Sequence, residues 1–182
     1  MIGTGAAVRG FVIRKELHRH DRKISPGYVA RIAAGFCWPW SKPRPDGTLV
    51  DDVTIGSWSR PWNLLSDKAL NGIPPSALWA TDDAGFGQVG CVYTAQGFEY
   101  EYGGVIIGGD LVWRDDHWET RPAESRDRDI KRAANSDELI RNVYKVLLTR
   151  GLRGCMIYSV DPETRQMLAG LGIPSLSAPA SG

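Results

Sequence analysis

Residues 90–108 read Gly90-Cys-Val-Tyr-Thr-Ala-Gln-Gly-Phe-Glu-Tyr-Glu-Tyr-Gly-Gly-Val-Ile-Ile-Gly108. The pattern predicts a short apolar strand, a polar loop over residues 94–99 with glycine at its turn, and a second strand of glycine, valine and isoleucine. Strands that are apolar without alternation are typical of parallel sheets buried on both faces. We therefore expect this segment at the centre of an α/β domain, with its chemistry at the edge of the sheet.

Further strands are predicted on both sides of this segment. Apolar runs at residues 28–37 and 154–160 predict two core strands, and residues 51–55 predict a short one. The second strand of the central segment is predicted to continue over residues 105–112. Between it and the next helix, charges of alternating sign over residues 113–131 predict an exposed, mobile insertion.

Two helices complete the pattern. A broad apolar face predicts a helix over residues 137–150, begun by a capping box of Asn135 and Glu138 and ended by Gly151. A second helix is predicted to open at Asp161-Pro162. Strands that alternate with helices imply an α/β fold with a mostly parallel, doubly wound sheet. Ligands of such sheets bind beyond the carboxyl ends of the strands, so we expect the polar loop at that edge.

The composition limits the classes of protein. The chain has 182 residues, the length of one domain, and 22 Lys and Arg against 21 Asp and Glu give a net charge of +1. Any contact with nucleic acid must therefore be local. The three cysteines, Cys37, Cys91 and Cys155, are far apart in the chain and are predicted to pack in the core. Neither a targeting segment nor a long apolar run is recognised, so we expect a soluble, cytoplasmic protein without membrane contact.

The predicted organisation has three parts. Residues 1–24 form a charged helical segment, residues 25–174 form the main domain with its insertion at about 113–134, and residues 175–182 form a disordered tail. No metal site is predicted, because His18 and His20 lie on different sides of a helix and residues 115–117 cannot converge on one ion.

Three tryptophans in proline-rich chain leave two interpretations open. Trp58, Trp62 and Trp79 could stack on bases, or they could pin their loops onto the domain.

Two motifs resemble those of known helicases. The loop at residues 94–99 resembles motif V of superfamily 1 helicases, in which Thr or Ser, a Gln-Gly pair and Glu follow a strand. Residues 144–150, Tyr-Lys-Val-Leu-Leu-Thr-Arg, resemble motif VI and lie downstream as in that family. Together with residues 34–41, they resemble the Schlafen-group-3-like DNA/RNA helicase domain over about residues 31–158. The resemblance implies the second, carboxy-terminal RecA-like lobe of a P-loop NTPase-type motor.

The resemblance also implies roles for five residues. Arg150 would be an arginine finger for ATP hydrolysis, Gln96 would link the nucleotide and nucleic-acid sites, and Glu99 would accept a hydrogen bond from ribose. Gly97 would let the backbone approach the phosphates, and Thr94 would touch the nucleic-acid backbone. The alternatives are that Arg150 interacts with the end of its own helix and that the loop residues satisfy a turn.

One motif of a motor is absent from the sequence. No Gly-x-x-x-x-Gly-Lys-Ser/Thr phosphate loop occurs in the 182 residues. We therefore expect a phosphate-loop lobe, in cis or in trans, to hold ATP with Mg²⁺, and we expect this chain to be inactive alone. Single-stranded nucleic acid is an expected partner.

Two other functions are compatible with the sequence. The chain could be a non-catalytic module, derived from such a lobe, that binds nucleic acid or protein. A stand-alone enzyme is disfavoured, because the sequence offers no nucleophile paired with a base.

Overall fold

The structure, a computed structural model, describes residues 29–171. Within these residues the elements are β1 (Ala30–Ala34), β2 (Val53–Ile55), β3 (Trp58–Arg60), β4 (Val89–Gly90), α1 (Val92–Ala95), β5 (Tyr100–Ile107), β6 (Leu111–Arg114), β7 (His117–Thr120), α2 (Arg128–Arg132), α3 (Ser136–Leu148), β8 (Gly151–Ser159) and α4 (Pro162–Gly170). Short 3₁₀ helices lie at Ser76–Leu78, Asp83–Gly87 and Pro122–Glu124. The predictions for residues 1–24 and 175–182 fall outside the described residues.

The central sheet has four strands in the order β4-β1-β5-β8, and every neighbouring pair is parallel. The register sets Ile32 of β1 opposite Gly104 of β5, and Val105 of β5 opposite Ile157 of β8. The last five residues of β5 are buried, which explains why glycine, valine and isoleucine fill this strand. The predicted α/β class with a parallel sheet is confirmed.

One face of the sheet is covered by helices. Val105 and Ile107 pack there in one core with Ile140, Tyr144 and Leu147 of α3. These three residues of α3 are buried and lie on one stripe, three or four positions apart, as an amphipathic helix requires. The helix predicted over residues 137–150 is therefore confirmed as α3.

The opposite face is covered by the β2–β3 hairpin and by irregular chain. Val53, Trp58 and Trp62 form a second core with Val89 and Ile106 of the sheet. Trp79 is fully buried in the core of the other face. Trp58, Trp62 and Trp79 thus pack in the two cores and hold their segments onto the domain. Base stacking on these three side chains is therefore excluded.

The two ends of α3 differ from their predicted caps. Asn135 precedes the helix, but its side chain makes no capping bond to the backbone; its amide donates to Glu138 Oε2 at 3.4 Å. The predicted capping box is therefore wrong. Gly151 does not cap the helix either, because it is the first residue of β8 and Thr149 ends the helix.

The start of α4 is as predicted. Asp161 caps this helix by accepting a hydrogen bond from the Thr164 backbone nitrogen at 2.8 Å, and Pro162 is the first helical residue. The Asp161 carboxylate also accepts two hydrogen bonds from Arg114 of β6, at 2.7 and 2.9 Å. Asp161 thus caps α4 and joins this helix to strand β6.

The second strand of the central segment is shorter than predicted. It ends at Ile107, and a turn at residues 108–110 redirects the chain before Leu111 starts β6, so the strand predicted over residues 105–112 is wrong in its second half. The turn packs closely against the chain that follows β1. A Cβ atom on Gly108 would lie 2.3 Å from Cys37 Sγ, so only glycine fits there.

The segment predicted as an exposed, irregular insertion over residues 113–131 is folded. It contains most of the antiparallel β6–β7 hairpin, a 3₁₀ helix and most of α2, and Ser125 and Asp127 are buried in it. Asp115 and Asp116 turn the hairpin with φ of 45° and 61°, a left-handed conformation that aspartate tolerates better than most residues. The sequence did not predict this hairpin, because the charges of alternating sign were interpreted as an exposed, irregular segment.

Candidate functional site

Most of the loop with the motif V-like residues lies at the opposite edge of the sheet from the one predicted. Gly90 at the end of β4 is level with Ala33, whereas Tyr102 of β5 is level with Ala30. Between Gly90 and Tyr100, the single turn of α1 takes the chain back along the sheet. Gln96 and the residues after it therefore lie at the amino end of β5, so the predicted place at the carboxyl edge is wrong for residues 96–99, whereas Thr94 hydrogen-bonds Cys91 directly after β4.

Three of the predicted site residues are exposed in this loop. Gln96, Gly97 and Glu99 all face solvent, and Gly97 has φ of +86°, which favours glycine over residues with a side chain. Neither Gln96 nor Glu99 makes a side-chain hydrogen bond to another described residue. Both side chains are thus free to contact a ligand.

Thr94 differs from its neighbours because it belongs to α1 and is buried, with 8% of its surface exposed. Its Oγ1 accepts a hydrogen bond from the Cys91 backbone nitrogen at 3.1 Å and donates to Asn63 Oδ1 at 3.0 Å. The hydroxyl group therefore caps the start of α1. Its predicted contact with nucleic acid remains a prediction.

Arg150 lies between α3 and β8, next to the same loop. Its Nε donates to the Val146 carbonyl at 3.1 Å and its Nη2 to Thr149 Oγ1 at 3.1 Å, so it binds the end of its own helix. Its Nη1 reaches the Phe98 carbonyl at 3.5 Å, and the Arg150 carbonyl accepts from the Tyr100 nitrogen at 3.0 Å. The motif V-like and motif VI-like segments thus meet at the amino edge of the sheet.

A buried arginine and tyrosine lie behind this edge. Arg31, the charged residue of β1, donates hydrogen bonds to the carbonyls of Ala30, Trp79 and Asp82, and its burial lowers its pKa. The Tyr100 hydroxyl is also buried, which raises its pKa to about 12. Arg31 thus fixes the chain at residues 79–82, and neither side chain is exposed to a ligand.

A polar cluster that the sequence did not predict lies at the carboxyl edge. Asp110, with 2% of its surface exposed, accepts a hydrogen bond from the Tyr144 hydroxyl, and that hydroxyl accepts one from the Gly108 nitrogen at 2.9 Å. The Cys37 thiol is coupled electrostatically to Asp110, and burial raises the pKa of both groups. The only signal in the sequence was an aspartate directly after two glycines and a buried strand.

The described residues contain neither a candidate metal centre nor a membrane helix. Over residues 29–171, no three His, Cys, Asp or Glu side chains are grouped as ligands for a metal ion. No helix in that range is long and apolar enough to span a membrane. Cys91 is buried in the core as predicted, while Cys37 and Cys155 are partly buried. None of these three cysteines forms a disulfide.

A parallel sheet with packed helices defines an α/β domain that is compatible with a Rossmann-like or RecA-like fold. The chain belongs to the family described as Schlafen group 3, DNA/RNA helicase domain, which it matches over residues 12–161. It is also similar to an uncharacterized protein of Saccharomyces cerevisiae, YPL245W, with 36% identity over 91 residues. The similar region is 44% of this chain and 20% of the yeast protein, so the chain spans about a fifth of that relative's length. No solved structure matches the chain.

Proposed function

We propose that this domain is the second, carboxy-terminal RecA-like lobe of a superfamily 1-like DNA/RNA helicase or NTPase, with the doubly wound sheet of such lobes. The observation that carries the proposal is the contact between Arg150 and the Phe98 carbonyl. It brings an arginine and the exposed loop with Gln96, Gly97 and Glu99 to one edge of the sheet. Membership of a helicase-domain family supports the same function.

In this proposal, the amino edge faces a nucleotide held by another lobe. The phosphate-loop lobe, in cis or in trans, would bind ATP with Mg²⁺, because this sequence has no phosphate loop. Glu99 would accept a hydrogen bond from ribose, and Gly97 would leave room for the phosphates. Gln96 would link the nucleotide to single-stranded nucleic acid.

Arg150 would be the catalytic residue, because it would touch the reacting phosphate. An arginine finger places positive charge on the oxygens of the γ-phosphate as the transition state forms. To do so, the guanidinium must leave the Val146 carbonyl and the Thr149 hydroxyl that now accept its hydrogen bonds. These are solvent-accessible contacts at a helix end, and such contacts contribute little to stability.

The experiment is an ATPase assay of the full chain, with Mg²⁺, in the presence and absence of single-stranded DNA or RNA. We expect no hydrolysis above background by the chain alone. Robust Mg²⁺-dependent hydrolysis that is lost in Arg150→Ala would contradict the proposal that this lobe needs a partner.

A second candidate is a non-catalytic module that binds nucleic acid or protein. The observation that favours it is that Arg150 already makes three hydrogen bonds, two of them to its own helix end. Addition of a phosphate-loop lobe discriminates between the two functions. A lobe of a motor restores hydrolysis in that mixture, whereas a module leaves it at the background rate.

A further inference from the structure

A buried asparagine contacts the helix that leads into the motif V-like loop. Asn63 has 0% of its surface exposed, and its Oδ1 accepts a hydrogen bond from Thr94 Oγ1 of α1 at 3.0 Å. The two residues are 31 positions apart in the chain, and no motif paired them. Asn63 has no role in the proposed function, although Gln96 follows Thr94 by only two positions.

Helix α1 depends on outside contacts for its position. It has four residues, and its backbone bonds include those from the Ala95 nitrogen to the Cys91 carbonyl at 2.9 Å and from the Gln96 nitrogen to the Val92 carbonyl at 3.0 Å. Isolated helices shorter than about 12–15 residues are marginal in water, so one turn cannot hold its own place. Ala95 packs in the core of the helix-covered face, but an apolar contact has no preferred direction. A hydrogen bond is directional and can fix the orientation of the turn.

Asn63 is itself held at the outer edge of the sheet. Its backbone nitrogen donates to the Val89 carbonyl of β4 at 2.9 Å, and the Val89 nitrogen donates to the Pro61 carbonyl at 2.9 Å. Between them, Trp62 is 2% exposed, and its indole nitrogen donates to a backbone carbonyl at 2.7 Å. Residues 61–63 are therefore a fixed support from which the Asn63 side chain reaches α1.

A second hydrogen bond reaches α1 from the solvent side. The Tyr93 hydroxyl donates to Asp127, the residue that caps α2. Tyr93 is 53% exposed, so water can replace this bond when it opens. The bond between Asn63 and Thr94 is buried at both ends, where a hydrogen bond is stronger than in water. It is therefore the contact on which the position of α1 depends most.

We propose that Asn63 is a positioning residue that acts through Thr94 on the exposed loop at residues 96–99. Gln96 ends α1, so a shift or rotation of this turn moves the near end of the loop with it. The far end is fixed separately, because the Tyr100 nitrogen donates to the Arg150 carbonyl at 3.0 Å. The effect on hydrolysis rests on the proposed function, whereas the hold on α1 does not.

Amide hydrogen exchange of the full chain tests the hold on α1 without any nucleotide. Asn63→Ala should speed exchange of the Ala95 and Gln96 amides about 2- to 10-fold, the effect of one lost buried hydrogen bond on local opening. The Cys91 carbonyl lies 3.3 Å from Thr94 Oγ1 and can accept from it. The variant therefore leaves the hydroxyl satisfied and removes only the contact with residues 61–63.

Three further variants separate this contact from general loosening. Gln88 is a second buried amide beside the same segment, with Oε1 accepting from the Leu64 nitrogen at 3.2 Å and Nε2 donating to the Ala84 carbonyl at 3.1 Å. Gln88→Leu should leave exchange in α1 unchanged. Thr94→Ser keeps the hydroxyl and should exchange as wild type does. In a Thr94→Val background, Asn63→Ala should have no further effect, because the bond is already lost.

Circular dichroism checks that each variant is folded. The hold on α1 is overturned if Asn63→Ala leaves exchange of the Ala95 and Gln96 amides unchanged or if Gln88→Leu speeds it equally. It is also overturned if Asn63→Ala acts as strongly in the Thr94→Val background as in wild type.

ATP hydrolysis by the chain mixed with a phosphate-loop lobe tests the effect on the loop. Asn63→Ala should raise KM for ATP with little change in kcat, because Gly97 and Glu99 would contact the nucleotide before and during the reaction alike. Gln88→Leu should keep both constants. Faster exchange in α1 with an unchanged KM would overturn the positioning role. A wild-type mixture without hydrolysis would contradict the proposed function alone, since the exchange result does not depend on it.

Discussion

At the scale of single residues, Asp110 is a carboxyl group whose burial opposes its charge. Its pKa is raised, so the folded protein keeps a proton that the unfolded chain has released. The stability that this proton contributes is present at acid pH and is lost as pH rises through the folded-state pKa. Relative to Asp110→Asn, whose amide oxygen can still accept from Tyr144, wild type should lose stability as pH rises from the ordinary pKa of aspartate through the raised pKa of folded Asp110.

Urea unfolding of both proteins at several pH values measures this difference. Groups away from Asp110 titrate equally in both proteins and cancel in the comparison. A difference in the free energy of unfolding that stays constant with pH would show that Asp110 is charged in the folded protein.

Gly35 provides a second prediction at this scale. A Cβ atom on it would lie 1.8 Å from the Tyr144 hydroxyl oxygen, in the middle of the same polar cluster. Gly35→Ala should therefore lower the free energy of unfolding by about 1–3 kcal/mol, the usual cost of overpacking. Gly87→Ala is the control, because no atom lies within 4 Å of its Cβ, and it should change stability by less than about 0.5 kcal/mol. Equal effects of the two substitutions in urea unfolding would refute the predicted close contact.

At the scale of elements, Asp161 joins α4 to the β6–β7 hairpin. Its hydrogen bond with Arg114 holds its pKa well below the usual range, so its contribution is present at neutral pH and is lost as pH falls. Loss of a helix cap costs about 1 kcal/mol, and Asp161→Ala should destabilise the protein by at least that amount at pH 7. Amides in the first turn of α4 should exchange faster with deuterium. The exposed Asp67→Ala is the control; if it gave the same loss, the cap would have no specific effect.

Some elements of the fold could be predicted from local sequence signals, and others could not. The core strands β1, β5 and β8 and the helices α3 and α4 were predicted, because apolar runs, a 3.6-residue stripe and an Asp-Pro start are local signals. The one-turn helix α1 was taken for strand and loop, since four residues carry no periodicity. The β6–β7 hairpin was missed, because its turn is Asp115-Asp116 with positive φ rather than a pair with glycine.

At the scale of the whole molecule, the position of the candidate site depends on the short connection between β4 and β5. The sequence identified Gln96, Gly97, Glu99 and Arg150 by resemblance, but it placed their loop at the wrong edge. The reason is that α1 returns the chain to the amino end before β5 begins. The stacking of Trp40 on Trp62 could not be predicted either, because the two indoles are 22 positions apart in the chain.

The proposed lobe is most directly tested by hydrolysis in a reconstituted pair. The full chain is mixed with a phosphate-loop lobe from a relative, and Mg²⁺-dependent ATP hydrolysis is measured for wild type, Arg150→Lys and the exposed control Arg128→Lys. We expect hydrolysis to appear with wild type and Arg128→Lys. Arg150→Lys should lower it by about 10³- to 10⁵-fold with nucleotide binding unchanged, because lysine lacks the planar fork of donors. Near-full turnover of Arg150→Lys in that pair would contradict the account and leave Arg150 as a residue that only binds the end of its own helix.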